Sequence, residues 1–231
     1  MISGDLPAER ILFGAAALAV LSVIPALALP DIRERFSWDY GYTFAQLFRG
    51  KNCILVGHSL LSGVEGGALY HVWPIAAFLV VGLSYPLLGA VFAASLLVIL
   101  LIRSMYARIQ RDTYLRAAPV WRSVAIISGW VGRSAVGTPL GLVVADVFSH
   151  TTAPSHGITS DPFVFEQVSE RGAFVDEYTA LKEIALASGK IISATLVGIL
   201  ALVLPISYAL AAVLVCAAIA SVFAMFSAKV I

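Results

Sequence analysis

The chain has 231 residues, of which 60% are hydrophobic and 13% charged, and its mean hydropathy is +0.92. A soluble domain carries roughly 25% charged residues, so this composition leaves too little polar surface to cover a water-soluble core. A formal net charge of +1 gives no basis for a nucleic-acid partner.

The apolar residues fall in long runs, and a spanning helix needs about 20 of them. Seven runs are expected to make an all-α, polytopic transmembrane bundle. The first covers about Ile11 to Leu29 and is closed by Pro30. It ends in Ala26-Leu27-Ala28, which has the small residues of a cleavage site. Asp5 and Glu9, however, dilute the positive charge that a signal peptide places ahead of its apolar stretch, so a retained span is expected. The polar stretch Asp31–Asn52 follows. Its middle, Tyr42–Phe48, reads as a short interfacial helix carrying Phe44, Leu47 and Phe48.

The second run goes from Cys53 past Pro74 to about Val81, longer than one straight span. Gly63, Gly66, Gly67 and Pro74 predict a bend or break within it. The third covers about Tyr85 to Ile102 and leads into a basic loop holding Arg103, Arg108, Arg111 and Arg116. The fourth, about Pro119 to Val131, and the fifth, about Val136 to Phe148, are short and joined by a tight turn. A long loop, His150–Lys182, contains Asp161-Pro162, an N-cap followed by proline at the first helical position. A short surface helix with Phe163 and Phe165 is expected there. The sixth run covers about Ile184 to Leu204, and Pro205 and Ser207 turn the chain into the seventh, about Tyr208 to Ala228.

Lys and Arg in the loops set orientation. With seven spans, one side receives Arg33, Arg35, Arg49, Lys51, Arg103, Arg108, Arg111, Arg116, Arg122, Arg171, Lys182, Lys190 and Lys229. The other receives only Arg10 and Arg133. The bias places the amino terminus outside and the carboxy terminus in the cytoplasm. A bacterial inner membrane is the expected location.

Long loops on the cytoplasmic side alternate with short external turns, a rhythm that resembles the carboxy-terminal half of a major facilitator superfamily transporter preceded by one extra helix. Three stretches are similar to a divergent bacterial branch: Trp73-Pro74-Ile75 with the Gly89 helix after it, the basic Arg103–Arg116 stretch, and Glu177-Tyr178 followed by Lys182-Glu183 and Gly189-Lys190. The resemblance implies two regions, residues 1–52 as first helix plus linker and residues 53–231 as a six-helix half-domain. The family's cytoplasmic signature, a Gly and an Asp four residues later, is replaced by Ser104-Met105-Tyr106-Ala107-Arg108. A complete transporter encloses its site between two halves. The resemblance therefore implies a partner: another membrane chain or a second copy of this one.

Ionisable groups inside a bilayer are expensive and rare. Glu65 lies about twelve residues into the second run, about 18 Å along a helix rising 1.5 Å per residue, flanked by Ser62, Gly63, Gly66 and Gly67. His58 precedes it by two turns, on the same face, and His71 follows six residues later. A proton-linked pathway would use a carboxylate and a nearby histidine relay. The competing reading has Glu65 bonded to a neighbouring helix while the glycines permit close packing. His58 and His71 also suggest a haem pair, but His150 and His156 do not complete it.

Asp146 and His150, four apart on the fifth run, are helix neighbours. They form either a pathway pair or an interfacial pair at a helix end. Lys182, Glu183 and Lys190 gather where the sixth run begins, as a cytoplasmic gate or an orientation anchor. Arg133, with Trp130 near it, reads as an external interfacial anchor.

Cys53 and Cys216 lie in apolar segments and read as small buried hydrophobes. Gly57-His58-Ser59 lacks the strand context of a hydrolase elbow. No zinc spacing or phosphate loop is present. No enzyme activity, cofactor or metal is expected. Two functional readings remain: a half-size, facilitator-like transporter, proton-coupled if coupled at all, and a non-transporting accessory subunit of a larger membrane complex.

Overall fold

The computed structural model describes residues 37–116, 119–152 and 175–227, together with Phe13, Ala16, Ala17, Ala19, Val20, Leu21, Val23 and Leu27. The chain divides into two compact units, Met1–Arg35 and Phe36–Ile231. In the first, the named positions are helical and exposed. All that follows concerns the second.

Among the described residues every regular element is helical, so the fold is all-α. The elements in chain order are α1 (Tyr40–Leu47), a 3-10 turn (Gly50–Asn52), α2 (Cys53–Gly67), a π-helical turn (Ala68–Val72) and α3 (Trp73–Val80). Then come α4 (Tyr85–Arg116), α5 (Pro119–Ser134), α6 (Pro139–Thr152), α7 (Val175–Val203) and α8 (Ile206–Ser227).

Among the described residues, three helices are long and apolar enough to cross a membrane: α4 over Tyr85–Met105, α7 over Asp176–Val203 and α8 over Ile206–Ala224. The helices α5 and α6 have 16 and 14 residues, short of the roughly 20 that a straight span needs. From Cys53 to Val80 the chain stays helical, with the π turn in the middle. Pro74 supplies the reason for that turn. It has no N–H for the Tyr70 carbonyl, and widening the helix just ahead of it redistributes the bonding. The expected interruption is therefore a π turn before Pro74, and the glycine-rich stretch itself is regular α-helix.

The rod stops cleanly at Gly82. Its N–H donates to the Leu79 carbonyl at 3.1 Å, and that of Leu83 donates to the Phe78 carbonyl at 3.0 Å. The second bond needs left-handed backbone at Gly82, whose φ is 68°, and Leu83 is left-handed as well, with φ of 63°. At the next hairpin Thr138 caps α6, its Oγ1 accepting from the Gly141 N–H at 3.1 Å, with Pro139 opening the helix.

Two helix ends differ from expectation. The helix α4 continues through Arg116, so Arg103, Arg108, Arg111 and Arg116 lie on a helix and not in a loop. No proline or glycine interrupts that stretch, and Arg, Met, Ala and Gln are good helix formers whatever their hydropathy. For the same reason α7 begins at Val175, nine residues ahead of the apolar run at Ile184, and takes in Lys182 and Glu183. Its first turn carries Asp176 and Glu177, which complement the helix dipole. Asp161-Pro162, Phe163 and Phe165 lie outside the described residues.

The middle of the unit is α8, of whose spanning window 44% is buried, against 17% for α4 and 11% for α7. Its buried face is built largely from small residues, including Ala209, Ala217, Ser221 and Ala224, so neighbouring backbones come close. Val72, Trp73, Ile126, Trp130, Leu142 and Leu214 pack in the same core.

Candidate functional site

The helix pair α2 and α7 meets at glycines. A Cβ on Gly63 would overlap the Leu186 carbonyl oxygen, and one on Gly189 would overlap that of Leu60. One turn on, a Cβ at Gly67 would strike the Ser193 hydroxyl. Gly63 and Gly67 on α2, against Ala185, Gly189 and Ser193 on α7, give a small residue every fourth position on both helices, the spacing that lets two membrane helices approach to backbone contact. Gly63 and Gly67, on either side of Glu65, are thus used for packing against α7, whereas a Cβ on Gly66 would meet only ordinary contacts.

Beside this crossing lies a buried ionic node. Arg133, 5% exposed, turns inward from the last turn of α5. Its Nη2 donates to Asp146 Oδ1 at 3.0 Å, with side chains 4% and 9% exposed. The guanidinium sits between two indoles, its Cζ 5.4 Å from the Trp73 ring centroid and 5.1 Å from that of Trp130, so the cation is desolvated by π faces that partly replace water. Trp130 is fixed in turn, its Nε1–H donating to Ser221 Oγ at 3.2 Å while that hydroxyl donates to the Ala217 carbonyl at 2.8 Å. The half-buried Glu65 acts on Arg133 electrostatically. Four elements therefore converge on one cation.

His150 completes the node. Its Nδ1 lies 3.1 Å from the Asp146 carbonyl and 3.5 Å from Arg133 Nη2. One nitrogen cannot donate to the first and accept from the second, and the shorter contact selects donation to the carbonyl. Nε2 then carries the lone pair. Two donors, Arg133 Nε and Trp73 Nε1, are buried with no hydrogen-bond partner among the described residues.

The expected pathway residues separate in space. Asp146 is in the node, and Glu65 is at its edge. His58 is buried, its Nδ1–H donating to the Ala224 carbonyl at 3.1 Å. That carbonyl belongs to the last turn of α8, so His58 ties α2 to the end of α8. His71 is exposed in the π turn, donating to the Gly67 carbonyl at 3.3 Å.

On α7, Lys182 is half-buried and Glu183 exposed. Lys190 is exposed, its stem lying across α2 with Cε 3.8 Å from a Cβ built on Gly66. Glu177 and Tyr178 are buried: Ser37 N–H donates to Glu177 Oε1 at 2.7 Å, and Trp38 meets the Tyr178 ring edge-on at 5.2 Å between centroids. They fasten the segment leading into α1.

Arg133 corrects the sequence reading most. It is not an external anchor, because its head is buried against Asp146. The available signal was an Arg and an Asp in two adjacent short runs joined by a tight turn, since intramembrane charges pair with one another. No protein-family model, curated protein or solved structure matches the chain.

Proposed function

We propose that the chain is a facilitator-type transporter half. It spans the bacterial inner membrane seven times, amino terminus outside, with six spans forming the half-domain. It works with a partner membrane chain or a second copy, and movement of solute is coupled to protons. The observation that carries this reading is the buried Arg133–Asp146 pair with His150 and Glu65 around it. Structural stability alone gives little reason for such a group, since a well-packed apolar replacement of a buried ion pair is often neutral or stabilising. The His150 lone pair and the Glu65 carboxylate are the groups that would take a proton, and Arg133 is the charge each would respond to. The two unpartnered donors would receive a water or a polar group of the solute. With Arg133 withdrawn from the external turn, the basic residues assigned to the outer side reduce to Arg10, which strengthens the proposed orientation.

Uptake by native vesicles decides the matter. Vesicles holding the chain and its partner, with acid outside, are expected to accumulate a solute from a labelled mixture of sugars, amino acids and organic acids. Glu65→Gln should abolish accumulation and leave assembly intact. Unchanged accumulation would remove Glu65 from the mechanism. The second reading, a non-transporting accessory subunit, is favoured by the Gly63–Gly189 crossing, which gives Gly63 and Gly67 a packing role. Copurification with a partner, without any driven accumulation or proton movement, would establish it.

A further inference from the structure

The helix α1 presents an aromatic face that no other described residue covers. Tyr40, Phe44 and Phe48 recur every fourth residue and are 81%, 43% and 90% exposed. Tyr40 and Phe44 lie against each other, ring centroids 5.5 Å apart. The opposite side of α1 is held firmly. Gln46 is buried, and Asn52 Nδ2 donates to its carbonyl at 2.9 Å and to its Oε1 at 3.1 Å. Trp38, ahead of the helix, meets both Tyr42 and Tyr178 edge-on. The outward face is therefore a fixed feature.

We propose that α1 lies in the headgroup–acyl boundary of the bilayer, with Tyr40, Phe44 and Phe48 among the upper acyl chains and Arg49 and Lys51 on anionic headgroups. Continuity is the first argument. Only Phe48, Arg49 and the 3-10 turn separate α1 from Cys53, where the helical rod containing Glu65 begins. With the rod Cys53–Val80 as one of the proposed spans, a segment so close to its end is confined to interfacial depth. Charge is the second. Arg49 and Lys51 are exposed beside the aromatic face, and Arg49 Nη1 donates to the Tyr42 hydroxyl at 3.2 Å, which holds a cation at the helix edge. Aromatic rings with a polar tip and a basic rim are what the interface selects, and basic groups there are drawn to anionic lipid. The inference rests on the proposed span over Cys53–Val80 and stands whether or not the chain transports.

Depth measurement tests it. The full chain, with Cys53 and Cys216 replaced by alanine, carries one nitroxide at Phe44→Cys, at Phe48→Cys or, as a control on the water side, at Asp39→Cys. It is reconstituted in phosphatidylcholine vesicles with and without equimolar phosphatidylglycerol. Labels at positions 44 and 48 should relax with oxygen several-fold more than with a water-soluble nickel chelate, and the control should show the reverse. Phosphatidylglycerol should deepen both labels, and Arg49→Gln with Lys51→Gln should remove that response. Dominant nickel accessibility at 48 overturns the proposal. Protection from both reagents also overturns it, since a protein partner would then cover the face. The unsubstituted chain gives a second readout. A photoactivatable phosphatidylglycerol should mark peptides from residues 37–52, and marking of α4 and α8 alone overturns the proposal.

Discussion

Two regions of the bundle, one at the α2–α7 crossing and one around Arg133, solve the same problem by opposite means. The crossing has no charge at its centre. It is held by shape, because removing side chains at Gly63 and Gly189 lets backbone meet backbone. The node has charge at its centre and is held by partners, a carboxylate and two indole faces, with His150 beside them bonded to the Asp146 carbonyl. A shape-held contact fails when an atom is added. A charge-held contact fails when a partner is removed. Substitutions that add or remove atoms therefore separate the two.

The largest effect is expected at the node. Asp146→Asn keeps the shape and removes the charge, leaving a buried guanidinium short of its closest partner. Breaking one side of a buried pair costs about 3–5 kcal/mol, enough to lower the thermal midpoint of the detergent-solubilised protein markedly. Arg133→Met together with Asp146→Leu replaces the pair by apolar groups, and most of the lost stability should return. A double variant no more stable than Asp146→Asn would show that the node is held by packing and that its charges are incidental.

The crossing should answer to a single methyl group. Gly189→Ala places a Cβ on the Leu60 carbonyl and within 2.7 Å of the Val64 nitrogen. Backbone cannot rotate away, so the loss should reach the upper end of ordinary overpacking, about 3 kcal/mol. The same change at Gly198, inside α7 where a Cβ meets nothing within 4 Å, should instead raise stability, by up to about 1 kcal/mol of helix propensity. Equal effects at the two glycines would mean that helix propensity and not contact governs both.

The same contrast explains what was legible in the amino-acid sequence. Hydropathy located α4, α7 and α8 because lipid-length apolar runs have few other uses. It misplaced the ends of α4 and α7, since Arg108 or Glu183 continues a helix as readily as leucine does while ending an apolar run. The glycine crossing was half legible. Gly63 and Gly67 stand four apart on one strip of α2, and Ala185, Gly189 and Ser193 repeat that spacing on α7, but the two strips lie far apart in sequence and nothing in either names the other as its partner. Arg133 was misread because its α-carbon does lie beside the turn between α5 and α6, while the long side chain carries the charge inward. His58 was singled out for its rarity in an apolar run, and its observed partner is a backbone carbonyl, which no residue pattern reveals.

The smallest expected effect concerns the support of Trp130, and its interest lies in an asymmetry. Ser221 Oγ accepts from the Trp130 indole and donates to the Ala217 carbonyl. Trp130→Phe removes the donor, keeps an aromatic face for Arg133, and leaves the serine hydroxyl still bonded within its own helix. The cost should be about 1 kcal/mol. Ser221→Ala leaves the indole N–H buried among apolar neighbours with its acceptor gone, and a stranded donor costs about 1–3 kcal/mol. The smaller chemical change should thus be the more damaging one, as read from paired thermal denaturation curves. The reverse order would mean that Trp130 contributes through its size against Arg133, and the node would then belong with the crossing, as a contact held by shape.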